Sequence, residues 1–205
     1  MKKHRPLIGW PVWDSKRYRF SIPNEVWDQK LRPTEFMILA YLCYCQNHNQ
    51  LGDLTLQMIA NGVHSTVSTV KKYIESLIAK GLITSKWLPT ARLQCNRYKN
   101  FFTLPDEIFL LKLLPSAFMV YAYLLLIKDR KTHTCHPSYN TIATATGMSK
   151  NTALKSINTL LEAGLITVEP SSYYDKSGMK WTGNNLYTIL PIHSAVDIFH
   201  QRQLR

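Results

Sequence analysis

The sequence predicts an α+β chain, mainly helical, made of two tandem copies of one domain, each with three helices followed by a β-hairpin. Three observations predict it. A segment near residue 20 returns near residue 102, and the likeness runs on for about 65 residues. The third helical stretch of each copy carries apolar residues at helical spacing and ends on a glycine. After each glycine comes a short run of strand formers.

The repeat is read residue by residue. Phe20-Ser21-Ile22-Pro23-Asn24-Glu25-Val26-Trp27 returns, shifted by 82, as Phe102-Thr103-Leu104-Pro105-Asp106-Glu107-Ile108-Phe109. At the same shift Leu31, Pro33, Phe36, Met37, Ala40, Tyr41 and Leu42 return as Leu113, Pro115, Phe118, Met119, Ala122, Tyr123 and Leu124. After a loop one residue longer in the second copy the shift becomes 83, pairing Ile59-Ala60 with Ile142-Ala143 and Gly81-Leu82-Ile83-Thr84 with Gly164-Leu165-Ile166-Thr167. A period this long marks a duplicated domain, because solenoid units repeat every 20–50 residues or so. Copy one is placed at 20–100 and copy two at 101–192, with a basic arm at 1–19 and a tail at 193–205.

Each element follows from local chemistry. The Phe-x-(Ile/Leu)-Pro segment is extended, since a residue before proline is driven from the α region. Pro33 and Pro115 open the first helix, to about Tyr44 and Ile127, because a first turn does not need the missing N–H. A second helix falls near Thr55–Asn61 and Ser138–Thr146. The third buries Val70, Ile74, Leu77 and Ile78 in copy one, and Ala153, Ile157, Leu160 and Leu161 in copy two. Gly147 suits a sharp turn between helices, Ser149 a helix cap, and Thr152 the slot of a capping-box partner. His64 stands where copy one should have that turn glycine, and histidine visits positive φ more readily than most residues. In copy two a turn at Asp175-Lys176-Ser177-Gly178 separates Leu165-Ile166-Thr167 from the alternating strand Asn185–Leu190. Copy one follows the same course through Pro89-Thr90-Ala91 to Arg97-Tyr98-Lys99.

Three helices and a hairpin are the winged-helix layout. Ile142 to Thr152, continued through Ile157, Leu160 and Gly164-Leu165-Ile166, resembles the helix-turn-helix of the winged-helix superfamily. Over residues 20–192 the chain resembles the tandem winged-helix replication initiators of bacterial plasmids and mobile elements. The resemblance implies binding to double-stranded DNA at an origin, followed by recruitment of a host replicative helicase or its loader. Transcriptional regulation is the runner-up, and a primosome adaptor with a protein-binding first copy is the third reading.

Composition agrees with a polyanionic partner. Lys plus Arg is 25 against 13 Asp plus Glu, a net +12. Residues 1–100 hold 15 basic and 6 acidic side chains, and no acid lies between Glu75 and Asp106. With the apolar side of copy two's third helix buried, Ser149, Lys150, Asn151, Lys155 and Asn158 are the candidates for base contact. Lysine donates to guanine and asparagine pairs bidentately with adenine. Copy one offers Ser68, Lys71 and Lys72, with Val67 and Glu75 beside them. Its acid-free wing adds Lys86, Arg92, Arg97 and Lys99, a set suited to phosphates, which position a protein without reading sequence. Lys176 and Lys180 do the same on the second wing. One chain then acts as a pseudo-dimer, with a homodimer as the other possibility.

Other features read blandly. Ile108–Ile127 imitates a membrane span, but Lys112, Pro115 and Ser116 interrupt it and its counterpart carries Lys30, Arg32 and Glu35, so no membrane partner is expected. No apolar secretory stretch is visible, and four cysteines without a C-x-x-C pair point to reduced thiols in a cytoplasmic protein. His133-Thr134-Cys135-His136 lacks metal-ligand spacing, and Cys43 and Cys45 read as packing. No metal, cofactor or enzymatic activity is expected, since no Gly-rich phosphate loop, G-x-S-x-G, H-E-x-x-H or rolling-circle His pair occurs. Trp10, Trp13, Trp27 and Trp87 read as core or interface; Trp181 is the candidate for base stacking. Lys2, Lys3, His4, Arg5, Lys16, Arg17 and Arg19 form either a disordered arm or one that follows a DNA groove. A short amphipathic helix is expected from Ala195 to Leu204.

Overall fold

The computed structural model describes residues 18–48, 54–83, 100–174 and 177–204. The arm up to residue 17, the copy-one wing with Lys86, Arg92, Arg97 and Lys99, and Lys176 lie outside these residues. The fold is α+β and mainly helical, with small antiparallel sheets.

Copy one begins with β1 (Arg19–Pro23), a 3-10 turn at Asn24–Gln29, α1 (Pro33–Asn47), α2 (Leu56–Gly62) and α3 (Val67–Ala79). Copy two repeats that order in β2 (Phe101–Pro105), a 3-10 turn at Asp106–Leu111 and α4 (Pro115–Ile127). It continues through β3 (Thr134–Cys135), α5 (Tyr139–Thr146), α6 (Lys150–Glu162) and β4 (Ile166–Glu169). The wing is completed by β5 (Ser172–Tyr174), β6 (Lys180–Thr182) and β7 (Leu186–Ile189), and α7 (Ile192–Gln203) ends the chain. The sequence that imitates a membrane span is a 3-10 turn followed by α4. Among the described residues no helix is long and apolar enough to cross a membrane.

The helix ends use the same devices in both copies. Thr55, Thr66, Ser138 and Ser149 each accept a backbone N–H from the residue three positions on, at 3.0–3.2 Å. The turn after α2 is made by His64 at φ 51°, and the turn after α5 by Gly147 at φ 65°. Each is closed by the same bond, Ser65 N–H to Ala60 O at 2.8 Å and Met148 N–H to Ala143 O at 3.0 Å. Histidine therefore holds the glycine's conformation. Gly62, the other residue that could have taken the turn, stays helical and meets the Tyr41 ring.

Two expectations need correction. The buried side of α6 is Ala153, Ser156, Ile157 and Leu160, while Leu161 is 45% exposed. The stripe runs i, i+3, i+4, i+7, which puts Ser156 rather than Leu161 beneath the helix. The last segment does form the expected helix, but with an earlier start. Its helix starts at Ile192, packs on Asp106–Leu111, and sends Arg202 Nη2 to the Glu162 carbonyl at 2.9 Å.

The wing of copy two is longer than one hairpin. β4 and β7 pair antiparallel, β5 and β6 form a distal pair beyond them, and β3 adds to the outer side of β7. The His133–His136 run thus supplies an unanticipated third strand to the sheet. Cys135 is buried and free.

The two copies share one core. β1 pairs antiparallel with β2 in a register that places Ser21 opposite Thr103. These are counterparts in the repeat, so a pseudo-two-fold axis passes between them. Other contacts obey the same axis. Counterparts Phe36 and Phe118 meet with ring centroids 6.1 Å apart. Trp27–Tyr123 at 5.6 Å is repeated as Phe109–Tyr41 at 5.2 Å, and Trp27–Phe102 at 6.1 Å as Phe109–Phe20 at 5.7 Å. The backbone bond from Asn24 N–H to Asn100 O recurs from Asp106 N–H to Tyr18 O. Arg19, counted from sequence with the basic arm, is part of β1 and donates to Thr103 Oγ1 and O, both at 2.8 Å.

The copies differ beside the axis. Glu35, buried at the start of α1, accepts from Lys80 Nζ at 2.9 Å, Ser76 Oγ at 2.7 Å and Arg32 N–H at 3.2 Å. Copy two has Ala117 in its place. Burial alone pushes this carboxyl up, but the Lys80, Ser76 and Arg32 hydrogen bonds, helped by the Lys80 charge, hold it below the usual range. Its stabilisation is therefore present at neutral pH and is lost as pH falls through the depressed value. Lys80→Ala should cost roughly 3 kcal/mol at pH 7 by leaving a buried carboxylate without its cation. The penalty should shrink as pH falls, because Glu35 without its Lys80 partner takes up a proton before the paired carboxylate does, and urea unfolding at neutral and at acid pH measures this.

Candidate nucleic-acid interface

The candidate surface is built on α6. Its inner side packs on α4 and α5, which fixes the direction in which the outer side points. Ala153, Ile157 and Leu160 are essentially removed from solvent. Lys150, Asn151, Lys155 and Asn158 are all exposed, together on the opposite side. Among the described residues none of these four side chains is tied to a protein partner. Their ammonium and amide groups are thus available at the N-terminal half of the helix.

Ser149 is exposed but committed. Its Oγ accepts the Thr152 N–H at 3.1 Å and lies 2.8 Å from Thr152 Oγ1. It caps the helix, so its share in any contact is to hold Lys150 and Asn151 in place. Thr152 does occupy the capping-box position, with a hydroxyl rather than a carboxylate.

Sequence reading missed Leu154. It is 39% exposed, between Asn151 and Asn158 on the outer side. An apolar group there suits the methyl of thymine. The signal was present in the spacing, since Leu154 falls outside the buried stripe, but only polar residues were taken as candidates on the outer side.

In copy one, Ser68, Lys71, Lys72 and Glu75 are exposed on α3, and Val67 is half-buried. Ser68 Oγ is 3.0 Å from the cap Thr66 Oγ1. Beside this helix lies a cavity of about 290 Å³. Four cations, Lys30, Arg32, Lys72 and Lys80, line it with the single carboxylate of Glu35. Lys30 and Arg32 were noted in the sequence only as charges unwelcome in a bilayer. The fold brings them next to Lys72, and Lys30 holds φ 46° at the end of its 3-10 turn.

Lys180 and Trp181 lie in β6, where only the backbone is described. Lys86, Arg92, Arg97, Lys99 and Lys176 fall outside the described residues. Trp27 is half-buried in the shared core, as a core or interface residue should be. Among the described residues no group of three or more His, Cys, Asp or Glu side chains could hold a metal ion.

Residues 111–166 match a family of helix-turn-helix domains. The match runs from the 3-10 turn through α4, α5 and α6 to the first residue of β4. No curated protein matches the chain. A solved structure described as a possible transcriptional regulator from Methanosarcina mazei Go1 is similar at 16% identity and a TM-score of 0.34, over 50% of this chain and 82% of that one. A likeness this loose carries no argument. The helix-turn-helix match does, because it coincides with the elements that present Lys150 and Asn151.

Proposed function

We propose that the chain binds double-stranded DNA with the N-terminal half of α6 in the major groove. The observation that carries this is the exposed set Lys150, Asn151, Leu154, Lys155 and Asn158 on a capped helix whose other side is core. Lysine there donates to guanine O6 and N7, asparagine pairs with adenine, and leucine packs on thymine. Phosphates are held by Ser68, Lys71 and Lys72 and by the wing lysines and arginines Lys86, Arg92, Arg97, Lys99, Lys176 and Lys180. The net +12 supplies the long-range attraction.

The finer role follows the resemblance. Origin binding for a plasmid or integrated element fits the tandem winged-helix arrangement, with a host helicase or its loader recruited afterwards. Regulation of transcription uses the same protein–DNA contacts and is equally supported by a helix-turn-helix domain. Footprinting on DNA flanking the gene separates them. Repeated sites in a non-promoter region are the initiator result, and a single operator over a promoter is the regulator result. An adaptor would instead co-purify with a helicase or loader after nuclease treatment.

The wing contributes a second measurable. Arg92→Ala with Arg97→Ala should weaken binding to all sequences alike and flatten the salt dependence of log K by roughly two units. Binding titrations between about 50 and 200 mM salt measure it. An unchanged slope removes the copy-one wing from the DNA.

A further inference from the structure

The charged cavity of copy one has no counterpart in the sequence of copy two. Lys30 follows the first 3-10 turn, Arg32 and Glu35 stand at the start of α1, and Lys72, Ser76 and Lys80 lie along α3 and at its end. The repeat puts Lys112, Leu114, Ala117, Lys155, Thr159 and Ala163 at these places. Where copy one has Arg32, Glu35 and Lys80, copy two thus has a leucine and two alanines, yet its helices form in the same order. The fold does not need these charges.

Their arrangement suits an anion. Glu35 is 2% exposed, so the recess runs inward from the surface to a buried group. Its carboxylate oxygens both accept from Lys80 Nζ at 2.9 Å, and one accepts from Ser76 Oγ at 2.7 Å. This pair fixes the Lys80 ammonium in the wall, and an ammonium has a third N–H to give. Lys30, Arg32 and Lys72 are exposed, and among the described residues none of them has an acid partner. The volume of about 290 Å³ is more than a lone phosphate group fills. It stands at the lower end of small-molecule sites, which run from about 300 Å³ upward. The half-buried Tyr73 ring adds an apolar wall.

We propose that this cavity binds a small phosphate monoester, its phosphate held by Lys30, Arg32 and Lys72 and its organic part against Tyr73. A monoester phosphate is a chain end with a charge of roughly −1.5 to −2 at neutral pH, so it enters a recess end-on and answers several cations. A phosphate of a duplex is tethered on both sides, carries one charge and lies side-on to the protein surface. Lys72 belongs both to the cavity and to the exposed side of α3 that carries Ser68 and Lys71. An occupied cavity therefore takes one cation from the DNA and adds negative charge beside the helix. The consequence, which rests on the assignment of Lys72 to DNA phosphates, is antagonism: monoester and duplex weaken each other's binding by the same factor.

Titration calorimetry of the full chain with phenyl phosphate, at fixed ionic strength, tests the site without DNA. One molecule should bind per chain, and dimethyl phosphate, a singly charged diester, should bind more weakly by roughly tenfold or more. Arg32→Leu installs copy two's own residue at an exposed position and should lower phenyl phosphate affinity by roughly tenfold or more. Lys30→Asn should do the same, and asparagine tolerates the positive φ of that position. Lys112→Asn, the same change in copy two, should leave the affinity as it was. With a duplex selected from a random pool, saturating phenyl phosphate should weaken DNA binding of the wild-type chain by roughly fivefold or more, and that of Arg32→Leu not at all. No binding of phenyl phosphate, or equal losses in Lys30→Asn and Lys112→Asn, overturns the site. Equal affinity for dimethyl phosphate overturns it too, because the cavity is then a contact for the DNA backbone. Phenyl phosphate bound with duplex affinity unchanged overturns the antagonism. A chain that takes up phenyl phosphate but no duplex keeps the site and loses the DNA-binding reading.

Discussion

Phe36→Ala is expected to destabilise the chain by about 4 kcal/mol, the usual cost of removing a fully buried aromatic ring. Phe36 is 1% exposed and packs on Trp27 at 5.1 Å and on its counterpart Phe118 at 6.1 Å. The ring therefore belongs to the core of copy one and to the contact between copies at once. A domain's whole stability is roughly 5–15 kcal/mol, so the loss is a large share of it. For a chain of this size it lowers the melting temperature by roughly 10 °C. Phe118→Ala should cost a similar amount, because the axis gives it the same neighbours: Phe109 replaces Trp27 at 5.4 Å. The double variant should lose less than the sum, since the two rings touch. Urea unfolding of the three variants measures all of this. Additive losses would mean that the rings stabilise separate domains rather than one shared core.

The second large effect falls on specificity. Lys150→Ala with Asn151→Ala should cut the ratio of specific to non-specific DNA binding by roughly a hundredfold, because each good base contact contributes about 1–3 kcal/mol of discrimination. Both side chains are exposed at the start of α6, so stability should change by no more than about 0.5 kcal/mol. Affinity for random duplex should persist, held by phosphate contacts elsewhere. Competition titrations with the selected site and with random DNA give the ratio directly. An equal loss on both DNAs would place these residues on phosphates.

What the sequence disclosed depended on the range of the interaction. The helix cap at Ser149 and the turns at His64 and Gly147 were legible because each is decided within five or six residues. The outward set on α6 was legible because a helix separates its faces by fixed spacing. Ser156 and Leu161 were exchanged because hydrophobicity outranked geometry. The underside of α6 lies against α4, and the stripe i, i+3, i+4, i+7 selects the serine whatever its polarity. The axis could not be read. The repeat identified Ser21 with Thr103 and Phe36 with Phe118, but equivalence does not say that counterparts face each other. That depends on strand pairing between residues 82 apart. The basic cavity beside α3 was hidden for the same reason, since Lys30 and Arg32 reach Lys72 only through the packing of α1 on α3.

The most direct test follows backbone amide resonances of the full chain as its selected duplex is added. The account predicts that the largest shifts fall on Ser149 to Asn158, with a second set on Val67 to Glu75, while α7 and the surface around Leu110 and Leu114, 53% and 66% exposed, stay still. Shifts confined to that surface or to α7, with α6 unmoved by saturating DNA, would contradict it.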